Sequence, residues 1–391
     1  MHLKNKIKTT DLLAVMRPYA GEIESAVSRV LGSGIYVGGS EVGLFEKEFS
    51  EYLGIGYAAG TGSGTDALQL AFRALGLKAG DKIATVSNTA VATVAAIEMI
   101  GAVPVFVDIE PETYTMATDS LRQILEYHKH RFPRDPVKAV VPVHLYGHPA
   151  DMSRIMALAK EYGVWVVEDC AQAHGAEVSG KKCGAWGHAA AFSFYPTKNM
   201  GGIGDGGALC TNDQALADNA RLIKEYGWKE RYISETAGIN SRLDAIQAAV
   251  LRVRLKYLNA ENELRIRNAR KLTSGLRNTG LSLPLVRKDC KSVFHQYVIR
   301  VPDRGYLMQK LLDSGISTAV LYPQPIHLQP AYRKRIKVDA ELKVTEQTCG
   351  EILCLPVHPA LSGSDLQHIA ETLSQAVFSP ELCGENAERA K

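Results

Sequence analysis

The stretch FSFYPTKNMGG, at residues 192–202, decides the fold prediction. A short apolar strand is predicted to run up to about Phe194 and to be broken by Pro196. A single lysine, Lys198, follows this break and stands before a run of glycines. A lysine at the end of a buried strand is a candidate nucleophile, because burial lowers its pKa and frees its amine.

A second apolar strand with an acidic end lies upstream, in the sequence WVVEDCAQ at residues 165–172. The apolar run ends at Glu168 and Asp169. A carboxylate and a lysine at the ends of two neighbouring strands suit pyridoxal phosphate, whose ring nitrogen needs an acid and whose aldehyde needs a lysine. The two stretches therefore predict pyridoxal 5'-phosphate as the cofactor.

The composition is that of a folded protein. Of the 391 residues, 46% are hydrophobic and 22% are charged, and the net charge of +3 predicts no broad basic face for nucleic acid. The most apolar region, residues 89–107, is interrupted by Glu98, Gly101 and Pro104, so it predicts a buried helix and strand and no membrane span. No apolar segment follows the lysines at the N-terminus, so no secretory signal is expected.

The cysteines and histidines predict no metal site. Seven cysteines are scattered without a Cys-x-x-Cys pair, which favours reduced thiols and a cytoplasmic location. His144 and His148 are four residues apart, but Gly147 and Pro149 argue against a helix that would align them.

A glycine-rich turn, GTGSG at residues 60–64, precedes a predicted helix over residues 66–75. Free backbone N–H groups and the positive end of a helix dipole would meet there, which suits a phosphate group. The same residues also fit a tight turn with a Ser or Thr helix cap. From the turn alone both interpretations stay open.

Strands and helices alternate along the first half of the chain, which predicts parallel strands with helical crossovers. Such sheets bind ligands at the carboxyl ends of their strands, where Asp169 and Lys198 are placed. Strands are predicted over residues 82–86, 103–107, 139–143, 164–167, 189–194 and 207–211, the last two with an antiparallel pairing among the options, and helices over 90–100, 119–128 and 151–162.

The pattern changes in the second half. Residues 215–226 and 241–276 have helical spacing, and the longer stretch predicts either two helices or one helix bent near 259–262. From residue 281 short elements follow, over 293–301, 306–313, 316–321 and 364–376. We predict an N-terminal segment and large domain over 1–240, linking helices over 241–280, and a small α+β domain over 281–391. The polar tail after Pro380 is predicted to be loose.

The two stretches together resemble a known family. VVEDCAQAHG at 166–175 and SFYPTKNMG at 193–201 look like the paired signatures of the DegT/StrS-type nucleotide-sugar aminotransferases. The resemblance runs from about Tyr36 to about Pro359. It implies an α/β fold, that of the fold type I pyridoxal-phosphate transferases, with a large domain built on a mostly parallel, seven-stranded-type sheet flanked by helices, plus a smaller α+β C-terminal domain.

The resemblance also implies a role for each matching residue. Lys198 would bind the cofactor covalently and then move the proton between cofactor and substrate carbons. Asp169 would keep the ring nitrogen protonated, and Gln172 would hydrogen-bond the ring hydroxyl. The phosphate of the cofactor would be bound by Gly64, Thr65 and Ser193, and by Asn240 of a neighbouring subunit, which implies a homodimer with shared active sites.

Two positions depart from the family pattern. Ala90 stands where relatives often have an aromatic residue stacked on the cofactor ring, and Leu321 stands where many have a histidine. Residues on the substrate side are predicted to be Tyr36, Lys229, Tyr322 and His327, and Lys229 would supply a cation to a nucleotide diphosphate.

The function implied by the resemblance is transfer of an amino group, from glutamate, to a keto-sugar of a nucleotide diphosphate. The pattern around residues 89–98 looks closest to relatives acting on a 3-keto sugar, a 6-deoxy one among them, and the product would be an amino-deoxy sugar for glycan or natural-product biosynthesis. The alternatives are a 4-keto substrate, a pyridoxamine-dependent dehydratase, and a regulatory relative without turnover. Dehydratases of this family replace the lysine by histidine, so Lys198 argues against that alternative.

Overall fold

The computed structural model describes residues 6–378, so the tail predicted after Pro380 lies outside the described part of the chain. Its strands are β1 (Tyr57–Thr61), β2 (Lys82–Val86), β3 (Val103–Val107), β4 (Val137–Val141), β5 (Trp165–Asp169), β6 (Glu177–Val178), β7 (Lys181–Lys182), β8 (Ala189–Ser193), β9 (Gly207–Thr211), β10 (Trp228–Glu230), β11 (Ile233–Ser234), β12 (Cys290–Lys291), β13 (Tyr297–Arg300) and β14 (Ile352–Leu355). Its α-helices are α1 (Leu12–Met16), α2 (Ala20–Ser33), α3 (Gly39–Leu53), α4 (Gly64–Ala74), α5 (Val91–Met99), α6 (Thr118–Arg131), α7 (Met152–Tyr162), α8 (Gln214–Lys224), α9 (Ala245–Leu276), α10 (Arg304–Asp313), α11 (Lys343–Glu351) and α12 (Gly363–Val377). Short 3₁₀ helices occur at Arg17–Tyr19, Leu145–Gly147 and Ile326–Leu328.

A seven-stranded sheet forms the centre of the molecule, in the order β1-β9-β8-β5-β4-β2-β3. Strands β8, β5, β4, β2 and β3 are parallel, and β9 is antiparallel to both of its neighbours, β1 and β8. Residues 194–206, between β8 and β9, contain no helix, so this connection returns the chain in the opposite direction. The predicted α/β class with a mostly parallel sheet is confirmed.

Strand β1 was not predicted from the sequence. Its residues YAAGT lack the β-branched run and the alternation that indicate a strand. Pairing with β9 specifies it, from Tyr57 opposite Thr211 to Thr61 opposite Gly207. The strand is therefore a product of tertiary pairing, and it delivers the glycine-rich turn to the edge of the sheet.

Aromatic packing attaches helix α3 to strand β8 below the connection of residues 194–206 that carries Lys198, here called the lysine loop. Phe49 packs edge-on against Phe192 and Phe194, with ring centroids 5.0 and 5.4 Å apart. All three rings are fully buried, and each contributes roughly 1.5–3 kcal/mol through burial. The carboxyl end of β8 is thereby held in a rigid apolar layer.

Helix α9 is one uninterrupted helix of 32 residues, so the two-helix alternative is wrong. The polar residues near its middle, which favoured a break, have tertiary partners. Asn259 accepts a hydrogen bond from Tyr52, and buried Glu261 makes two 2.7 Å contacts with the guanidinium of Arg254. Their polarity reflects these contacts and does not mark the end of a helix.

A second, smaller sheet pairs β13 with β14 antiparallel, and its core includes residues of α10 and α12. The short element predicted over 316–321 is neither a helix nor a strand, and two isolated bridges occur there, Ile316 with Ile7 and Ala319 with Cys354. The division into domains at residues 240 and 280 stays a prediction. Within residues 6–378, none of the helices combines the length and hydropathy needed to cross a bilayer.

The buried Arg254–Glu261 pair gives a test of how the middle of helix α9 is packed. We expect Glu261→Ala to lower the free energy of unfolding by about 3–5 kcal/mol, because it leaves a buried guanidinium uncompensated. Glu263→Ala is the matched control, since Glu263 is more than half exposed in its pair with Lys291 and should cost less than about 1 kcal/mol. Urea unfolding measures the free energy of unfolding of both variants. Similar losses in the two would contradict the burial of the Arg254–Glu261 pair.

Candidate active site

Lys198 lies in a closed loop at the carboxyl end of β8. Its N–H donates to the carbonyl of Tyr195 at 2.9 Å, and the N–H of Gly202 donates to the carbonyl of Phe194 at 2.8 Å. A Cβ on Gly201 would lie 2.3 Å from the carbonyl oxygen of Pro196, so the loop needs glycine there. Burial lowers the pKa of Lys198, and the nearby Asp169 carboxylate partly opposes this. At a given pH a larger fraction of Lys198 is therefore the free amine, which is the form that acts as a nucleophile.

Asp169 ends strand β5, which pairs in parallel with β8 and places Asp169 opposite Ala191. Its Oδ2 accepts a hydrogen bond of 2.8 Å from Thr93 Oγ1, and its Oδ1 accepts one of 3.1 Å from the N–H of Ala171. Thr93, in the first turn of α5, was not singled out from the sequence. These donors hold the carboxylate in one orientation at the sheet edge that carries Lys198.

Gln172 connects this edge to two tyrosines. Its Oε1 accepts from the N–H of Tyr146 at 2.7 Å, and its Nε2 donates to Tyr322 Oη at 3.3 Å. Burial, with a contribution from Asp169, raises the pKa of Tyr322 to about 12, so its hydroxyl stays protonated at neutral pH. Tyr322, predicted on the substrate side, thus stands next to a predicted cofactor residue.

Tyr146, in the sequence HLYG at 144–147, contacts the site but was assigned no role from the sequence. Its φ of 58° lies in the left-handed region, which a bulky residue rarely adopts. Its hydroxyl donates to the carbonyl of Leu321. Tyr146 therefore joins the 3₁₀ helix after β4 to the segment that carries Tyr322.

The glycine-rich turn and the lysine strand meet at the start of helix α4. A Cβ on Gly64 would lie 2.7 Å from the Cβ of Ser193, so only glycine allows this approach. Ser63 caps the N–H of Asp66 at 3.1 Å, and Thr65 lies between them in the first turn. The cap is therefore observed, and phosphate binding stays a prediction that is compatible with it, because an α-helix leaves its first N–H groups without intrahelical partners and one cap satisfies only one of them. The residues present fit a phosphate group.

Asn240 follows the β10–β11 hairpin and is exposed. Its neighbour Ser241 is buried and was not predicted as a site residue. Ser241 Oγ accepts from the N–H of Gly62 at 3.0 Å and donates to Asp66 Oδ2 at 2.9 Å. Ser241 thus fixes the segment of Asn240 to the glycine-rich turn of the same chain.

The predicted substrate residues lie in different surroundings. Lys229 is on the exposed β10–β11 hairpin and pairs with Glu235 at 2.6 Å. Tyr36 is half exposed, and its carbonyl accepts from the N–H of Ala245. His327 is buried, with its ring nitrogens 2.8 Å from Ser87 Oγ and 3.1 Å from Glu346 Oε1. The position of His327 favours a structural contact over contact with a substrate.

Glu168, His144 and Cys170 place potential metal-ligand atoms within 4.8 Å of one another. The carboxylate of Glu168 accepts from the N–H groups of Gly184, Trp186 and Gly187 at 2.7–2.9 Å, and His144 Nε2 lies 3.0 Å away. His144 Nδ1 accepts from the N–H of Ala150. Because the Glu168 oxygens and both ring nitrogens of His144 are already bonded, these two residues form a structural hydrogen-bond network.

Lys198, Asp169 and the start of α4 could share three tasks: covalent capture of an aldehyde, protonation of a ring nitrogen and binding of a phosphate. Pyridoxal phosphate needs all three. On this fold, the arrangement fits the class of pyridoxal-phosphate-dependent aminotransferases.

The chain belongs to the DegT/DnrJ/EryC1/StrS aminotransferase family, whose sequence pattern matches residues 19–374. It is similar to the erythromycin biosynthesis sensory transduction protein EryC1 of Saccharopolyspora erythraea, with 42% identity over 93% of this chain and 97% of the relative. It is also similar to the dTDP-3-amino-3,4,6-trideoxy-alpha-D-glucose transaminase of Streptomyces venezuelae, with 42% identity over 91% of this chain and 92% of the relative.

The fold comparison agrees. A crystal structure of S. venezuelae DesV in complex with a ketimine intermediate superposes with a TM-score of 0.92 and 39% identity, over 96% of this chain and 100% of that one. The predicted family, fold class and enzyme class are confirmed, and the family implies pyridoxal phosphate as cofactor. The roles of the individual site residues stay predictions.

The covalent role of Lys198 is tested by absorbance. We expect the purified protein with pyridoxal phosphate to show a band near the visible edge, because Lys198 binds the aldehyde, and we expect Lys198→Ala to lack it. Lys334→Ala, which changes an exposed lysine, is the control and should keep the band. A band of equal intensity in Lys198→Ala would exclude Lys198 as the attachment point.

Proposed function

We propose that this chain transfers an amino group from glutamate to a keto-sugar of a nucleotide diphosphate, with pyridoxal phosphate as cofactor. The observation that carries the proposal is the placement of Lys198 beside Asp169 at the edge of the sheet, in a chain of the DegT/DnrJ/EryC1/StrS aminotransferase family. The product would be an amino-deoxy sugar for glycan or natural-product biosynthesis.

The position of the new amino group is proposed to be C3. A relative with 42% identity is named a dTDP-3-amino-3,4,6-trideoxy-alpha-D-glucose transaminase, which supports a 3-keto substrate, a 6-deoxy sugar among the candidates. A 4-keto sugar remains the alternative. Lys198 stands where the dehydratases of the family have histidine, which disfavours a dehydratase.

The cofactor, when bound, supplies an electron sink for the carbanion formed as a C–H bond of the bound amine breaks. Asp169, oriented by Thr93 and Ala171, would hold the proton on the ring nitrogen. Gln172, tied to Tyr146 and Tyr322, would bind the ring hydroxyl. The start of α4 and Ser193 would bind the phosphate.

Lys198 would move the proton in both half-reactions. Its Nζ would take the proton from the substrate carbon and return it to the cofactor carbon when glutamate gives up its nitrogen. The keto-sugar would reverse these transfers in a ping-pong scheme. A lowered pKa suits this role, because a general base must be unprotonated at the working pH.

Dimerisation would complete the site. Tyr36, Lys229 and Asn240 are exposed in the single chain. Large apolar side chains are exposed in the same segments, at Leu31, Ile35, Val37, Tyr226, Tyr232 and Ile233. Exposed apolar side chains grouped in this way are typical of protein interfaces. They support a homodimer in which Asn240 reaches the phosphate of the other subunit.

A cytoplasmic location, predicted from the cysteine pattern, is part of the proposal. Six cysteines lie within residues 6–378, all six are free thiols, and five of them are buried.

A regulatory protein without turnover is the second candidate, favoured by the name of the relative EryC1. Glutamate separates the two candidates. We expect glutamate to bleach the absorbance band of the lysine-bound cofactor, because the nitrogen passes to the cofactor, and a 3-keto nucleotide sugar to restore the band faster than its 4-keto isomer. A band that glutamate leaves unchanged would favour the regulatory candidate or another donor, and faster recovery with the 4-keto sugar would move the amination to C4.

Shared active sites are tested by mixing two inactive variants. We expect Lys198→Ala and Asn240→Ala to be weakly active alone. Unfolded together and refolded as a 1:1 mixture, they should recover about a quarter of the wild-type activity, since half of the dimers are hybrids with one intact site. As a control, Lys198→Ala mixed with Asp169→Ala should recover nothing, because both changes lie in the same subunit's part of the site. Equal activity in both mixtures would contradict sharing through Asn240.

A further inference from the structure

Asn199, the residue after the lysine, is 2% exposed and has its side-chain amide fully engaged. Its Nδ2 donates to Asn262 Oδ1 at 2.9 Å and to the carbonyl of Val293 at 3.1 Å. Its Oδ1 lies 3.1 Å from His295 Nδ1. A carbonyl oxygen can only accept, so the amide nitrogen must face Val293, and the oxygen must accept from His295.

Asn262 continues the network. Its Nδ2 donates to the carbonyl of His174 at 2.8 Å, which fixes the orientation of this amide too. Helix α9 packs against the core below β8 through Leu251 and Leu258, and against the core of the smaller sheet through Ile266 and Leu272. Asn262 lies where the helix passes from one core to the other. Asn199 is therefore tied to a junction between the two cores.

These hydrogen bonds hold Asn199 in place, and because Asn199 directly follows Lys198, they also constrain the backbone of Lys198. Phe194 and Met200 also point into the core from the lysine loop, but apolar packing is non-directional. The three hydrogen bonds of the planar Asn199 amide are directional. They fix how the side chain is rotated as well as how far it enters the core. With Asn199 turned into the protein, the preceding side chain, that of Lys198, is directed into the site near Asp169.

We propose that Asn199 is a positioning residue for Lys198, and that Asn262, Val293 and His295 hold it. The inference rests on the proposed function in taking Lys198 as the nucleophile. The loop is held by a side chain that the reaction itself does not use, and the lysine amine is thereby placed within reach of the cofactor.

The groups around Lys198 add little positive charge to this arrangement. Burial lowers the pKa of His174 to about 3 and lowers that of His295 as well, so both rings are neutral at physiological pH. The cation of Arg265 faces His295 and favours its neutral form. Asp169 is the carboxylate that faces the lysine. Loss of the Asn199 anchor would let water reach the amine, and the pKa of Lys198 would rise towards its ordinary value.

The test measures the reactivity of Lys198 in the full-length protein without cofactor. Labelling by 1-fluoro-2,4-dinitrobenzene is followed against pH, and the peptide that contains Lys198 is quantified by mass spectrometry. We expect Asn199→Ala to raise the pKa of Lys198, and so to slow its labelling about tenfold at a pH below both pKa values. Asn262→Ala removes one of the three bonds and should raise the pKa of Lys198 by less. It replaces Asn199→Ala as the test variant if Asn199→Ala does not fold.

Asn268→Ala is the matched control. Asn268 lies on the same helix, is fully buried and donates to the carbonyl of His358 at 3.0 Å, away from the lysine. It should lower the melting temperature like Asn262→Ala and leave the labelling of Lys198 unchanged. When the absorbance of the bound cofactor is titrated with pH, we expect the largest change in Asn199→Ala, a smaller one in Asn262→Ala and none in Asn268→Ala.

Unchanged labelling in the Asn199 and Asn262 variants, or an equal change in Asn268→Ala, would overturn the inference. Failure of the proposed function has a different signature. Wild-type protein that binds the cofactor but transfers no amino group would leave the labelling result intact.

Discussion

The parallel pairing of β5 with β8 is the constraint on which the site depends. It sets Asp169 opposite Ala191, so that both strands end at the same edge of the sheet. The lysine loop begins directly after β8, and the glycine-rich turn reaches this edge because β1 pairs with β9 beside it. A register shift of one residue would turn the carboxylate of Asp169 to the other face of the sheet. Three segments far apart in the chain thus meet because of strand order and register.

The site is held by polar groups that are buried and paired. Thr93 and Ala171 orient Asp169, Gln172 joins two tyrosines, and Asn199 ties the lysine loop to helix α9. Buried polar groups are costly when unpaired, so each of these contacts constrains its neighbours. Burial at the same site also lowers the pKa of Lys198. The packing that positions the site residues therefore also increases the reactivity of the lysine amine.

The sequence anticipated much of this arrangement, and the failures have physical reasons. Strand β1 was missed because its alanines and glycine carry no strand signal without their partner β9. A break in α9 was considered because Asn259 and Asn262 look like helix ends, although both bond to residues more than sixty positions away. Thr93, Tyr146 and Ser241 were not assigned roles, since a hydroxyl or a backbone N–H acquires a role only from what lies beside it.

The sequence by itself determined the α/β class and the family and singled out Lys198 and Asp169, because motif spacing and alternating elements are local properties of the chain. Tertiary structure alone decided that Tyr322 meets Gln172 and that His327 is buried against Ser87. It also decided that the side chain of Asn199 is bonded on three sides, next to the lysine that opened the sequence prediction. Such contacts join residues more than sixty positions apart, and only the folded chain brings them within hydrogen-bonding distance.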